Sequence, residues 1–323
     1  MNPPDQGSDP PTFDFGRRSS RTPEEPPVDL DSPPGEGEET EEPATTEQPT
    51  TTRPRLQFFR TETARRVLWA IPWVIFAVFI VVVGGFPFTL AMIGLGVMGL
   101  RELFRMTERL RPFLLPAFGV LAAMILTAHY GEDFHILLAF ACLFPAIFLF
   151  AASRDNREGI TLSIAITVFG VAWMGIAFTH AVLLRDLPDH GAALLIDVLV
   201  ATFVGDTAAY AGGRLFGNRK ITPRISPNKT LEGLIAGFLG GTLGFWFAGL
   251  YQDWLPGIDA LLMGMVVAAI APVGDLFASM IKRDLETKDT GTLFGPHGGL
   301  IDRLDAVMFT IVAGYYLSVA FVY

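Results

Sequence analysis

Cysteine is almost absent from this chain, and charged residues are few. Cys142 is the only cysteine among 323 residues, which excludes an intramolecular disulfide framework and a thiolate metal cluster. Charged residues make up only 18% of the chain, whereas hydrophobic residues make up 50% and the mean hydropathy is +0.41. This apolar content exceeds that of a usual soluble domain and indicates a protein of the lipid bilayer.

The net charge of -9 comes from one segment. Residues 1–52 hold 13 of the 33 acidic residues but only 3 of the 24 lysines and arginines, so the remainder is nearly neutral. The segment is also too poor in apolar residues to offset the entropy of ordering. We therefore expect residues 1–58 to form a disordered, acidic, Pro/Glu/Thr-rich cytoplasmic tail.

Apolar runs long enough to cross about 30 Å of hydrocarbon recur after this tail. The runs lie at residues 66–84, 86–101, 112–128, 134–152, 160–184, 191–213, 232–250, 258–281 and 306–323. Only a Gly-Gly-Phe-Pro sequence separates the first two, so they could also form one broken segment. The pattern predicts an all-α polytopic membrane protein with about nine transmembrane helices.

The charges of the loops predict how these helices are oriented. With the N-terminus in the cytoplasm, the outer loops at 130–133, 185–190 and 252–258 contain a single basic residue, Arg185. Short cytoplasmic loops carry the excess of lysine and arginine, so nine spans fit this pattern better than eight. We expect a multi-pass protein of the cell (inner) membrane.

Two regions follow the tail in this layout. We expect residues 59–190 to form the N-terminal transmembrane helices and residues 191–323 to form a C-terminal transmembrane region. The two long polar loops of the C-terminal region are expected to face the cytoplasm.

Two aspartates within predicted spans indicate a functional site. Asp206 lies about 12 Å along a helix from Arg214, and Asp275 lies about 10 Å from Lys282, at 1.5 Å per residue. An unpaired carboxylate in hydrocarbon is costly, although an ion pair with a loop residue would also satisfy it. Asp197 lies nearer the outer half and could be an interhelical hydrogen bonder.

The loop at 214–232 ends in Ser-Pro-Asn-Lys-Thr-Leu-Glu. Ser226 followed by Pro227 predicts the N-cap and first residue of the seventh span. A helix N-terminus flanked by Lys220, Arg224 and Lys229 would also stabilise phosphate oxygens through amide groups and charge.

The segment 279–305 has the densest polar pattern of the chain. It reads Ser-x-x-Lys-Arg, four residues, Lys-Asp, then His-Gly-Gly and Asp-Arg-x-Asp. This pattern resembles the signature of phosphatidate cytidylyltransferases, also called CDP-diacylglycerol synthases. The stretches at 206–213 and 226–232 resemble further motifs of that family, in the same order, and the resemblance covers roughly residues 60–323. One departure is Gly295-Pro296, which reverses the order more common in the family.

The resemblance implies that a phosphatidate oxygen attacks the α-phosphorus of CTP, giving CDP-diacylglycerol for phospholipid biosynthesis and releasing pyrophosphate. It implies Mg²⁺ held by Asp275 and Asp302, and a second cation is compatible with it. The implied catalytic residues are Asp275, Asp302, Lys282, Arg283 and Asp206. The resemblance therefore implies that residues 191–323 are the catalytic region, with the active site at the loops that face the cytoplasm. The implied substrate-binding residues are Lys220, Ser226, Lys229, Lys288, Asp289, His297, Arg303 and Asp305.

Some of these roles have alternatives. Asp206, Asp289 and Asp305 could be auxiliary metal ligands, and the latter two could instead cap helices or pair with Lys288 and Arg303. His297 could simply hydrogen-bond within a turn, because histidine serves either purpose.

Other classes of membrane protein share some of these sequence features. A polyprenol kinase, or a synthase acting on an archaeal-type lipid, could share charged loops and intramembrane acids, and a transporter could use Asp206 and Asp275 for ion coupling. A CDP-alcohol phosphotransferase is disfavoured because its run of spaced aspartates is not found. The expected partners are CTP, phosphatidate and the lipid bilayer, with no nucleic acid. Glycines in the seventh span would permit close helix contact either within one chain or between the chains of a homodimer.

Overall fold

The computed structural model describes residues 74–155, 158–287, 290–291 and 298–323. The predicted tail at 1–58 lies outside these residues, as does the start of the first predicted span.

Helices dominate the described part of the chain, as the hydrocarbon environment requires, because a helix pairs its own backbone polar groups. The elements are α1 (Val74–Val83), α2 (Gly85–Met106), a 3₁₀ turn (Glu108–Leu110), α3 (Leu114–Tyr130), α4 (Asp133–Ala141), α5 (Leu143–Ala152), α6 (Ile160–Arg185), α7 (Gly191–Phe216), β1 (Lys220–Thr222), β2 (Ser226–Thr230), α8 (Leu231–Gly249), α9 (Gly257–Asp284) and α10 (Ile301–Phe321).

Seven helical segments of the described chain are long and apolar enough to cross a membrane, with α4 and α5 counted together. Helices α1 and α3 are also apolar but shorter. Each predicted span overlaps one of these segments. The prediction of a helical, multi-pass membrane protein is therefore confirmed.

Three chain segments meet at one end of the helical bundle. We call it the opposite end, because it lies across the bundle from the β1–β2 hairpin. The guanidinium of Arg185, at the end of α6, donates hydrogen bonds to the carbonyl oxygens of Val81 and Val82 at the end of α1. His129 Nδ1, near the end of α3, lies 2.6 Å from Asp186 Oδ2. These contacts place the turn between α1 and α2 beside the end of α6.

Other contacts define the second end of the bundle. We call it the hairpin end, because the hairpin formed by β1 and β2 lies at this end. Ser163 Oγ, in the first turn of α6, donates to the carbonyl oxygen of Leu110 at 2.6 Å. The Phe113 N–H, just before α3, donates to Thr167 Oγ1 at 2.9 Å. The start of α6 therefore packs against the start of α3, and successive segments run in alternating directions.

Helices α7 and α8 pack closely because glycines lie at their contact. A Cβ atom on Gly237 would lie 2.8 Å from the Cβ of Ala209 and 3.1 Å from the carbonyl oxygen of Gly205, so a larger side chain would force the helices apart. The neighbouring Gly241 meets Ala201 of α7 and Ala268 of α9 in the same way. These glycines of the seventh predicted span thus serve contacts within one chain.

A short two-stranded antiparallel hairpin follows α7, in an otherwise helical part of the chain. Lys220 pairs with Thr230 and Thr222 with Ser226, and the Ile225 N–H closes the turn onto the Thr222 carbonyl at 3.1 Å. The segment between α7 and α8 is therefore mostly an antiparallel hairpin.

The hairpin also shows that the predicted N-cap at Ser226 is wrong. Ser226 lies in β2, and the cap of α8 is Thr230, whose hydroxyl accepts a hydrogen bond from the Gly233 N–H at 3.2 Å. Pro227 lacks the N–H that a central strand needs, but it is tolerated here because the sheet has only two strands. Strand pairing with β1 thus extends the chain through Ser226 and delays the helix by one turn.

Candidate active site

An ion pair joins the hairpin to the interior of α9. Lys229 Nζ lies 2.7 Å from Asp275 Oδ2, and the two side chains are 24% and 36% exposed. The contact is close but lacks the angular geometry of a hydrogen bond, and the ammonium nitrogen itself is buried. Asp275 also accepts a hydrogen bond from Ser279 Oγ at 3.3 Å, one helical turn further on.

A second ion pair joins the end of α9 to the start of α10. Lys282 Nζ lies 2.8 Å from Asp302 Oδ1, and the side chains are only 13% and 11% exposed. The other oxygen of Asp302 accepts hydrogen bonds from the N–H groups of Thr290 at 2.9 Å and Gly299 at 3.0 Å. A carboxylate with this set of donors is held in one orientation.

Close packing of α9 on α10 brings these two pairs to the same interface. A Cβ atom on Gly274 would lie 2.5 Å from the carbonyl oxygen of Asp305 and 3.0 Å from the Cα of Ala306. The glycine before Asp275 therefore lets the first turns of α10 reach the backbone of α9. Residues that lie far apart in the sequence thus meet at the hairpin end.

Two further carboxylates lie within electrostatic range of the ion pairs. Asp206, on α7, interacts with the charges of Asp275 and Lys229. Asp305 interacts with the charges of Asp275, Lys282 and Asp206, and its Oδ1 accepts a hydrogen bond from the adjacent Ala306 N–H at 2.8 Å. The structure therefore gathers the aspartates of α7, α9 and α10 around two lysines.

The remaining predicted site residues surround this cluster or lie outside the described chain. Arg283 donates from Nε to the carbonyl oxygen of Ile225 at 3.2 Å, so it ties the tip of the hairpin to α9. Lys220 is exposed on β1, Ser226 is half-buried on β2, and Arg303 is exposed in the first turn of α10. Three predicted residues, Lys288, Asp289 and His297, lie outside the described residues.

The glycines after His297 have defined roles in the loop. Gly298 has a φ of +83°, a conformation that residues with a side chain rarely adopt, and a Cβ there would lie 3.0 Å from Asp302 Oδ2. A Cβ on Gly299 would lie 2.6 Å from Glu102 Oε2. Both positions need glycine for the backbone to approach a carboxylate.

Sequence reasoning missed Glu102, near the end of α2. Its side chain is buried, and its two oxygens accept hydrogen bonds from the Leu300 N–H at 2.8 Å, the Ile301 N–H at 3.1 Å and Thr290 Oγ1 at 3.1 Å. The sequence places Glu102 just after an apolar run and beside Arg101, where it resembles an ordinary loop charge.

The prediction for Asp197 fits its position at the other side of the bundle. It is 1% exposed, and both of its oxygens accept hydrogen bonds from Gln252 Nε2, at 3.0 and 2.9 Å. Asp197 is thus a buried hydrogen bonder, although its partner lies in the loop after α8 and not on a helix.

The donor set suits a hard divalent cation. Within the described ranges, no group of three or more His, Cys, Asp or Glu side chains is arranged to hold a metal by itself. Mg²⁺ does not require such a group, because it binds through one or two carboxylates together with substrate phosphates. Asp275 and Asp302 supply two carboxylates at the interface of α9 and α10, so these residues fit such an ion.

Comparison with known proteins identifies the family. The sequence profile of the Cytidylyltransferase family matches residues 64–321, which is most of the chain. The chain belongs to this family. Every residue of the cluster described above lies within the matched region, whereas the whole acidic segment at residues 1–58 lies outside it.

Curated proteins from several bacteria are similar to this chain. The phosphatidate cytidylyltransferase of Bacillus subtilis (strain 168) is 30% identical over 264 residues, which cover 80% of this chain and 98% of that protein. The phosphatidate cytidylyltransferase of Synechocystis is 28% identical over 288 residues, covering 79% of this chain and 96% of that protein. That of Thermotoga maritima is 35% identical over 156 residues, covering 46% of this chain and 58% of that protein.

Proposed function

We propose that this protein transfers the cytidylyl group of CTP to phosphatidate, giving CDP-diacylglycerol and pyrophosphate for phospholipid biosynthesis. The observation that carries the proposal is the pairing of Lys229 with Asp275 and of Lys282 with Asp302 at one interface of a cytidylyltransferase-family chain. The relatives from Bacillus subtilis and Synechocystis, which match over nearly their whole length, are named for this activity.

The reaction makes one phosphorus–oxygen bond and breaks another. A phosphate oxygen of phosphatidate attacks the α-phosphorus of CTP, and the bond to the β-phosphate breaks, so that pyrophosphate leaves with the electron pair. The attacking oxygen is already anionic, so no general base is needed. The task of the protein is to bring two anions together and to stabilise the charge that develops.

The lysines provide part of this stabilisation. Lys229 has a buried ammonium nitrogen with a single close partner, so it retains donor capacity for a phosphate oxygen. Lys282 is held at the start of α10 by Asp302, beside the loop that carries the His-Gly-Gly sequence. A positive group that is fixed before the substrate arrives stabilises phosphate charge without further reorganisation.

The carboxylates are the proposed ligands of the cation. Asp275 and Asp302 would hold Mg²⁺, and Asp206 and Asp305 lie within electrostatic range for an auxiliary role or for a second cation. When bound, Mg²⁺ supplies neutralisation of phosphate charge and polarisation of phosphoryl oxygens. In this arrangement the lysines that now pair with the carboxylates would turn to the phosphates.

The other predicted residues complete the substrate site. Arg283 orders the hairpin through its bond to the Ile225 carbonyl. The residues that we propose to line the substrate-binding site are Lys220, Ser226, Lys229, Lys288, Asp289, His297, Arg303 and Asp305.

We further propose that the protein has nine spans, with its N-terminus and the hairpin end in the cytoplasm, and that it lies in the inner membrane. Among the residues that the structure describes, lysine and arginine lie at the hairpin end except for Arg185. That residue is occupied in capping the carbonyl groups of α1. This asymmetry is what the positive-inside rule predicts for a cytoplasmic hairpin end.

A double-label assay separates this function from the nearest alternative. Purified protein in detergent is given phosphatidate, Mg²⁺ and CTP that carries one label in cytidine and another in the γ-phosphate. Cytidylyl transfer moves the cytidine label into the lipid fraction and the γ-label into pyrophosphate. A lipid kinase would instead move the γ-label into lipid, and an ion-coupled transporter would move neither.

A further inference from the structure

The buried carboxylate of Glu102 connects the N-terminal helices to the catalytic loop. Glu102 belongs to α2, whereas the three groups that donate to it, on Thr290, Leu300 and Ile301, lie almost 200 residues later. No basic side chain is among these donors. Its partners are therefore two backbone amides and one hydroxyl, all of them at the start of α10 or in the loop before it.

These contacts replace a missing helix cap. The N-cap position of α10 is Leu300, which has no side chain that can accept a hydrogen bond. The first N–H groups of a helix lack partners within the helix, and the helix dipole favours negative charge at this end. Glu102 satisfies both requirements from a neighbouring helix, so it fixes the first turn of α10.

The hydroxyl of Thr290 links Glu102 to Asp302. Thr290 Oγ1 lies 3.1 Å from Glu102 Oε2 and 3.1 Å from Asp302 Oδ2. The Thr290 N–H also donates to Asp302, at 2.9 Å. Thr290 is therefore held between the two carboxylates, and a shift of Glu102 would be transmitted to Asp302.

The Glu102 side chain is closely packed and has little room to move. A Cβ on Gly291 would lie 3.0 Å from Glu102 Oε1, and a Cβ on Gly299 would lie 2.6 Å from Oε2. The backbone at Gly291 and at Gly299 thus packs directly against the carboxylate. A group that served only to fill space would not need two acceptor oxygens aimed at three donors.

We propose that Glu102 is a positioning residue for cytidylyl transfer, which holds Thr290 and the first turn of α10 so that Asp302 faces Lys282. This inference rests on the proposed function, and it assigns to α2 a role in the site that the motifs of the C-terminal region do not contain. Glu102 acts through Thr290 and α10 and does not contact substrate.

The test uses the full-length protein in detergent with the substitution Glu102→Gln, which keeps the size of the side chain. The amide has only one acceptor oxygen and places its NH₂ group against a backbone donor. Glu108→Gln is the matched control, because Glu108 is an exposed glutamate at the same end of the bundle. We would measure kcat, KM for CTP, the thermal unfolding midpoint, and amide hydrogen exchange of residues 298–304.

For Glu102→Gln we expect kcat to fall about 10- to 100-fold, a range typical when a residue that orients a ligand group is lost. Amide exchange at 298–304 should become faster, and the unfolding midpoint should show a folded protein. Glu108→Gln should match the wild type in every measurement. If Glu102→Gln does not fold, Thr290→Val tests the same link by removing the bridging hydroxyl, and its kcat should fall in the same way.

Two results would overturn the inference. Faster exchange with an unchanged kcat would make Glu102 an anchor of the fold only, and unchanged exchange would show that it does not hold the loop. A wild-type protein that makes no CDP-diacylglycerol would instead contradict the proposed function. The exchange measurement would still decide whether Glu102 holds the first turn of α10.

Discussion

Lys229 Nζ lies 2.7 Å from Asp275 Oδ2, which links the second strand of the hairpin to the interior of α9. Lys282 makes the corresponding contact with Asp302 at 2.8 Å, between the end of α9 and the start of α10. Two cationic and two anionic groups thus lie at the hairpin end, joined in two ion pairs. A site for a nucleotide triphosphate and its cation requires both signs of charge, because the carboxylates hold the metal and the lysines hold phosphate.

Removing the charge of Lys229 should weaken the use of CTP. A hydrogen bond to a charged group contributes about 1.5–3 kcal/mol, so we expect Lys229→Gln to lower kcat/KM for CTP by about 10- to 100-fold. Arg109→Gln is the matched control, because Arg109 is an exposed arginine at the same end of the bundle, and it should change kcat/KM by about twofold or less. Equal effects of the two substitutions would show that Lys229 contributes only general positive charge.

The two candidate caps of α8 should differ in their effect on stability. Thr230→Ala removes the hydroxyl that accepts from the Gly233 N–H, and loss of an N-cap costs about 1 kcal/mol. We expect the thermal unfolding midpoint in detergent to fall by about 2–4 °C. Ser226→Ala, at the position that the sequence favours, should leave the midpoint unchanged. The reverse order would place the start of the helix at Ser226.

Packing of α7 on α8 should be sensitive to one added methyl group. Gly237→Ala places a carbon 2.8 Å from the Cβ of Ala209, and overpacking of this kind costs about 1–3 kcal/mol. Gly119→Ala is the matched control, because no atom lies within 4 Å of a Cβ at that position of α3. Thermal unfolding should show a lower midpoint for Gly237→Ala alone. Similar midpoints for the two variants would mean that the helices are further apart than described.

The proposed orientation can be tested by cysteine labelling in a Cys142→Ala background. We expect Asn218→Cys, beside the hairpin, to react with a membrane-impermeant maleimide in inside-out vesicles but not in spheroplasts. Asp253→Cys, in the loop after α8, should show the opposite behaviour. Both residues are exposed, so accessibility from one side is decided by the membrane and not by burial. Labelling of Asn218→Cys in spheroplasts would contradict a cytoplasmic hairpin end.

Sequence patterns predicted the spans because hydrocarbon imposes one simple rule. A chain that crosses the bilayer must be apolar and must satisfy its own backbone, so long apolar runs become helices. The positions of Asp206 and Asp275 within such runs likewise indicated polar chemistry, since an isolated charge there is costly. These inferences needed no knowledge of tertiary structure.

Local patterns failed where a distant segment decides the outcome. Ser226-Pro227 is a good start for a helix, but pairing of β2 with β1 keeps the chain extended until Thr230. Glu102 resembles a loop charge, because nothing near it in the sequence shows that α10 lacks its own cap. Tertiary contacts supply both pieces of information, so single-sequence reasoning could not reach them.

The central claim is that the paired aspartates of α9 and α10 form the active site. Its most direct test is the rate of CDP-diacylglycerol formation from CTP and phosphatidate by Asp275→Asn and Asp302→Asn, beside Asp253→Asn as the control. Asp275→Asn is the cleaner variant, because its ion pair is 36% exposed on the aspartate side, whereas breaking a buried pair such as Lys282–Asp302 costs about 3–5 kcal/mol of stability.

We expect purified, folded Asp275→Asn and Asp302→Asn to lose nearly all Mg²⁺-dependent product formation, while Asp253→Asn retains the wild-type rate. Near-normal turnover by folded Asp275→Asn would contradict the assignment of the active site to this cluster.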